Sequence, residues 1–411
     1  MNPTAEMLAD AERMRHADAD WLSLALIQSR NQTLAWLALF EAHPRAPQPQ
    51  PAAHFESALW IAGHLAWRQE RWIARNLLRR RPEVEGREAA RGGSALASIE
   101  PQADVWWSGA AAAAQHAGEP AQAADFEATR AYAAETLETT LELLHAAERD
   151  DDGLNLFRAA LFEEDAWQRR FVALAQARRI EAAARLVPER RVLVAREPLH
   201  FGAQAWSLGS ARSGFVPANE RWAHEVAVPE YEIDAQPVGW AQYAEFVEDG
   251  GYDEPAWWSE AGRAWLLATG RRGPRDVEQV RHGVLLRRFG RLQRAAGVEP
   301  ALLLSAHEAD AWCHWAGRRL PCEVEWELAA HRGNSRGFSW GDVAEWVGGS
   351  ARCWPGAPPQ AADDDPAATA GKRVQRGVAW FEPRRLAHPK SRRFVAPERD
   401  EGFAGFRSCA V

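Results

Sequence analysis

The 411-residue chain carries 49 Lys and Arg against 57 Asp and Glu, a net charge of −8 with the two signs interleaved. That length exceeds the ~250–300 residues over which one core grows, so two domains are expected. The charge balance offers no basic stripe for nucleic acid, the Arg79–Arg81 run being too short, and no stretch of ~18 apolar residues could span a bilayer. Residues Met1–Phe40 are charged throughout and lack a signal-peptide core, which points to a cytoplasmic protein. Twenty-one Trp against four Tyr and three Met predict a Trp-lined interior.

In chain order, Asp18–Ala42 has the apolar spacing of an amphipathic helix and is closed by Pro44, Pro47 and Pro49. Glu56–Leu78, Phe126–Ala147 and Leu154–Arg179 predict three more helices, with Arg81–Ala117, rich in Gly, Ala, Pro and Ser, as a long crossover. Glu163, Glu164 and Asp165 lie in the fourth helix with Trp167. Glu163 and Trp167, four apart, share a face that should look across the bundle at His64. Three acids and a Trp can equally be a solvated helix edge. His64, flanked by Trp and Leu, is either a hydrogen-bonded core histidine or, opposite Glu163, half of an N/O metal pair. His54 and His145 are conceivable third ligands, and His145 also suits a helix C-terminus.

Pro188–Arg196 has the character of a linker, dividing the chain into 1–190 and 191–411. Beyond it the elements become short and punctuated by Gly, Pro and Trp, predicting an α+β domain with much loop and with helices at His307–Ala316 and Glu323–Ala330. Cys313, Cys322, Cys353 and Cys409 form no C-x-x-C pair, so free and mostly buried thiols are expected.

Several ordered motifs carry a resemblance: Pro237-Val238-Gly239-Trp240, Phe246–Tyr252, Glu308–Glu327 with its Gly317-Arg318-Arg319-Leu320-Pro321 centre, Trp340–Trp346, and Phe403-Ala404-Gly405-Phe406-Arg407. They resemble the formylglycine-generating-enzyme-type (sulfatase-modifying factor) domain, of C-type-lectin-like fold. The first half resembles the DinB-like four-helix bundle fused to that domain in the iron-dependent sulfoxide synthases of ergothioneine biosynthesis. Trp60–Asn76, Ala97–Pro101 and the final residues look most like the selenoneine synthase branch.

The resemblance implies an oxygenase that uses Fe(II) and O₂ to join sulfur or selenium to the imidazole of hercynine, with a thiol or selenosugar donor as the second substrate. It implies three His ligands, one matching His64 and two in an H-x-x-x-H pattern where this chain has Glu163 and Trp167; an indole offers only an N–H. Metal candidates are therefore His64 and Glu163. Substrate-binding candidates are Arg393 and Phe394, at the family's R-N-aromatic position, Arg399, matching an Arg that can hold a carboxylate, and Trp380. Two readings follow: a selenoneine-synthase-like or sulfoxide-synthase-like oxygenase, or a metal-poor paralogue that binds without redox catalysis. Formylglycine generation is a third, for which the cysteines supply no reactive pair. Trp326, Trp340 and Trp346 are expected in the core, and Arg407 in a structural ion pair.

Overall fold

The computed structural model describes residues 3–47, 55–76, 96–109, 124–191, 193–355 and 369–411. It separates into two compact units, one of Met1–Val187 together with Pro383–Arg385, the other of Pro188–Glu382 and Leu386–Val411.

The first unit is helical. Short helices α1 (Pro3–Ala9) and α2 (Ala11–Arg15) precede α3 (Ala19–Glu41), which starts where the Asp18 carboxylate accepts the Trp21 N–H at 3.0 Å. Helix α4 (Ala58–Gln69) is capped by Ser57 and runs into a π-turn at Glu70–Ala74. After α5 (Ala103–Trp106) come α6 (Phe126–His145), capped by Asp125, and α7 (Asp151–Ala177), capped by Asp150 with two further acids in its first turn. Those acids complement the positive end of the helix dipole. Helices α3, α4, α6 and α7 pack on one another around Leu26, Trp36, Leu37, Ile61, Leu65, Phe157, Leu161 and Phe171, all essentially inaccessible. Trp36 stacks on Phe171, 6.1 Å between centroids and 4° from parallel.

The predicted helices thus appear with modest shifts of their ends. Glu56–Leu78 begins at Ala58, after its Ser57 cap, and turns π-helical at Glu70. Glu70 is anchored at that turn: its carboxylate accepts from the Tyr132 hydroxyl at 2.7 Å, the Ser98 hydroxyl at 2.6 Å and the Ile99 N–H at 2.7 Å, tying the end of α4 to α6 and to residues 98–99. Only residues 96–109 of the proposed crossover are described, and they include a helical turn. His54 and Arg79–Arg81 lie outside the described residues. No helix among the described residues is long and apolar enough to cross a membrane.

The three consecutive acids of α7 are each taken by an arginine. Glu163 pairs with Arg68 at 2.8 Å. Glu164 receives Nε and Nη2 of Arg30 at 2.8 and 3.1 Å, and the Thr33 hydroxyl at 2.8 Å. Asp165 receives the Arg385 guanidinium and the Ser29 hydroxyl, the latter at 2.8 Å. The solvated-edge reading therefore fails for Glu164 and Asp165, which are 3% and 0% exposed.

The second unit mixes short strands with helices. Strands β1 (Leu199–Phe201) and β4 (Tyr231–Ile233) pair, as do β2 (Gln204–Leu208) and β3 (His224–Val228); β5 (Val277–Gln279), β6 (Leu285–Arg288) and β7 (Arg291–Arg294) form a third sheet. The largest has the order β10 (Arg392–Val395), β9 (Arg373–Arg376), β8 (Ala344–Ser350), β11 (Ala404–Phe406), with β11 parallel to β8. Helices α8 (Trp240–Glu248), α9 (Glu260–Thr269), α10 (Ala306–Trp315) and α11 (Glu323–Arg332) complete it. Alternation along β8 divides the core in two: Trp346 packs with Trp240, Tyr243, Trp312 and Phe406, and Val347 with Trp326, Leu328 and Val374. Arg407 pairs with Glu345 at 2.5 and 2.8 Å and Trp326 donates to the same carboxylate, as expected of structural residues. Trp340 is only partly buried. Helices α8 and α9 were not anticipated. Cys313 and Cys409 are buried, but Cys322 and Cys353 are exposed, correcting the expectation of mostly buried thiols.

Removing one partner of a buried pair strands the other charge, at a cost of about 3–5 kcal/mol. Glu164→Ala should therefore lower unfolding stability by about that much in urea denaturation. Glu163→Ala, whose carboxylate is 17% exposed, should cost less.

Candidate functional site

Helix α4 places His64 one residue after Gly63, where a side chain cannot fit: a Cβ there would lie 2.0 Å from Nε1 of Trp107. The bare backbone lets the Trp107 indole lie on the helix and stack on Tyr132, centroids 4.5 Å apart. Trp107's carbonyl oxygen is thereby brought 2.6 Å from His64 Nδ1. A carbonyl only accepts, so Nδ1 carries the proton and Nε2 the lone pair. Helical spacing supplies the rest: Trp60, one turn earlier, stacks on the imidazole at 4.2 Å, and Trp67 lies at 5.5 Å. From α7, Trp167 approaches to 5.0 Å, so the face predicted to look at His64 does so through Trp167. Glu163, one turn away, meets Arg68 instead.

Two guanidiniums border this aromatic box. Arg170 lies 3.8 Å over the Trp167 ring and pairs with Glu56; Arg68 lies 4.2 Å over Trp72. Burial pushes the His64 imidazole down to about 4; the Trp107 carbonyl pulls it upward, and Arg68 and Arg170 press it down further. His64 is a neutral, hydrogen-bonded histidine enclosed by indoles, only 5% exposed.

Iron(II) needs about three protein donors and open coordination positions. No cluster of three His, Cys, Asp or Glu side chains able to hold a metal occurs among the described residues. Glu163 is engaged by Arg68, Trp167 fills the face of the imidazole, and Arg68 and Arg170 bring positive charge where a cation would sit. His145 is exposed at the end of α6. The described residues do not fit iron(II).

The remaining candidates lie in the second unit. Arg393, on β10, donates to the Gly377 carbonyl at 3.0 Å and to Glu382 at 2.8 Å, and Glu382 in turn accepts the Ala379 N–H at 2.7 Å. This set holds the loop that carries Trp380. The Trp380 indole donates to the Pro188 carbonyl at 2.9 Å. Phe394 packs against the Trp326 core with the Arg392 guanidinium 4.7 Å over its ring. Arg399 forms an ion pair with Glu401.

The depressed His64 value has a consequence for stability. The unfolded chain takes up the imidazole proton near pH 6.5 and the folded protein only near 4, so stability present above pH 6.5 is lost as pH falls through that window, by roughly 3 kcal/mol. His331, also pushed down to about 4 by burial, shares the window. The measurement is therefore the difference between wild type and His64→Gln in urea unfolding from pH 7 to 4, with an NMR midpoint near 4 for the His64 ring.

The family model for the sulfatase-modifying factor enzyme 1-like domain matches residues 176–347. The hercynine oxygenase of Mycolicibacterium smegmatis is 30% identical over 239 residues, covering 46% of this chain and 55% of that protein. The hercynine oxygenase of Mycobacterium tuberculosis is 31% identical over 233 residues, covering 46% and 54%. The formylglycine-generating enzyme of Mycobacterium tuberculosis is 34% identical over 176 residues, covering 37% and 57%. The chain spans about half the length of the curated relatives it matches. Residues 176–347 thus match the sulfatase-modifying factor enzyme 1-like domain, and over about half of its length the chain is similar to hercynine oxygenases and, over a shorter stretch, to formylglycine-generating enzymes.

Proposed function

We propose that this chain is a hercynine-handling relative of the sulfoxide synthases whose DinB-like bundle no longer holds their iron, so that it binds the imidazole betaine without redox catalysis. The observation that carries this reading is the enclosure of His64 by Trp60, Trp67 and Trp167, with Glu163 paired to Arg68. Kinship with two hercynine oxygenases supports hercynine as the ligand. The proposed setting is cytoplasmic.

A second reading is favoured by the same kinship: a selenoneine-synthase-like or sulfoxide-synthase-like oxygenase that joins selenium or sulfur to the hercynine ring. It requires Fe(II) held by His64, Glu163 and a third ligand, with a thiol or selenosugar as donor. Glu163 would have to leave Arg68, and Trp167 would have to vacate the imidazole face.

Protein purified from Fe(II)-supplemented cells is expected to hold well below one equivalent of iron and to form no C–S or C–Se product from hercynine and either donor in air. Glu163→His with Trp167→His, which restores two imidazoles one turn apart, should raise iron occupancy. One equivalent of iron in the wild type, with product formation abolished by His64→Ala, would establish the oxygenase instead.

A further inference from the structure

At the start of the second unit, two arginines converge on one carboxylate oxygen. Arg190 and Arg288 both donate to Oε1 of Glu299, Arg288 at 2.6 Å. Each keeps a donor unspent: Arg190 Nη2 and Arg288 Nε are buried and meet no acceptor among the described residues. The Arg190 side chain is 10% exposed. Burial pushes its guanidinium down to about 10, against the pull of Glu299 and with the push of Arg288. Asp342 also pulls on Arg190, but both of its oxygens are bound by Arg191, at 2.5 and 2.6 Å. Three guanidiniums thus share two carboxylates, which leaves positive charge and two unspent N–H donors for an anion.

An aromatic wall adjoins them. The Arg190 guanidinium lies 4.9 Å from the Trp380 ring centre. Trp380 packs edge-on against Phe381 at 4.9 Å and Phe403 at 5.5 Å, and Phe403 stacks on Phe289 at 5.9 Å. Phe289 follows Arg288 directly. Both Phe289 and Phe403 hold left-handed backbones, with φ of 47° and 52°. Bulky residues rarely adopt that conformation, and such strain gathers where side chains are held for a ligand. Phe289 and Trp380 are only partly buried, so their rings remain reachable.

We infer that Arg190 and Arg288 hold the carboxylate of a small amino-acid or betaine ligand, and that Trp380 and Phe289, backed by the buried Phe403, receive its apolar or quaternary-ammonium end. Arg supplies the paired donors a carboxylate needs, and indole and phenyl faces attract quaternary ammonium groups. The choice of hercynine as first probe rests on the function proposed above; the site does not.

Calorimetric titration of the full chain with hercynine, with N,N,N-trimethylhistamine, which lacks the carboxylate, and with L-histidine, which lacks the quaternary ammonium, tests it. Arg190→Gln is expected to weaken hercynine at least about tenfold, as loss of a charged hydrogen bond does, while leaving trimethylhistamine unchanged. Arg288→Gln should act in the same direction and decides the matter if the first variant does not fold. Equal loss for both ligands, or loss for neither, overturns the site and leaves the hercynine reading standing. Histidine binding that depends on Arg190, with no hercynine binding, upholds the site and refutes that reading. Absence of binding by all three probes overturns both.

Discussion

The first unit is organised by charge neutralisation on one helix. Successive residues of an α-helix point in different directions, so Glu163, Glu164 and Asp165 cannot share a partner. Each is met by an arginine from a different part of the chain: Arg68 of α4, Arg30 of α3, and Arg385 of the Pro383–Arg385 excursion that packs as part of this unit. Buried carboxylates without such partners would be strongly destabilising. The acids therefore fix the position of α7 relative to α3 and α4, and with it the side of His64 that Trp167 covers.

The same arrangement decides what the site can do. A carboxylate that already neutralises an arginine is a poor ligand for a divalent cation, because binding would release the guanidinium into a half-buried position. An indole pressed on an imidazole occupies the space a ligand or O₂ would need. The charges and indoles around His64 thus limit what the bundle can bind, whereas the second unit is held by buried structural pairs such as Arg407–Glu345 and Arg376–Glu327.

Much of the scaffold was legible from local signals. Asp18, Asp125 and Asp150 begin helices close to the expected positions because caps and apolar spacing act within a few residues. Helix α8 carries local signals of the same kind, since Trp240, Tyr243 and Phe246 have helical spacing and Gln242 closes back on the Gly239 N–H; so does α9, which Ser259 caps and Gly270 ends in a left-handed conformation. At the site, Trp60 and Trp67 could be placed beside His64 from i±3 and i±4 spacing alone. The partners of Glu164 and Asp165 could not, since Arg30 and Arg385 are 134 and 220 positions away and nothing local marks which arginine faces which acid. The Arg190–Glu299 pair, 109 positions apart, is illegible for the same reason.

The protonation pattern of His64 is set by its neighbour in sequence. Because Gly63 has no Cβ, Trp107 can lie against α4, and the carbonyl that results fixes the proton on Nδ1. A single methyl group at position 63 would displace the indole and take that acceptor with it, freeing the ring to exchange tautomers. The chemical character of the histidine is thus held by a residue that has no chemistry of its own, and the Gly63–His64 pair behaves as one functional unit.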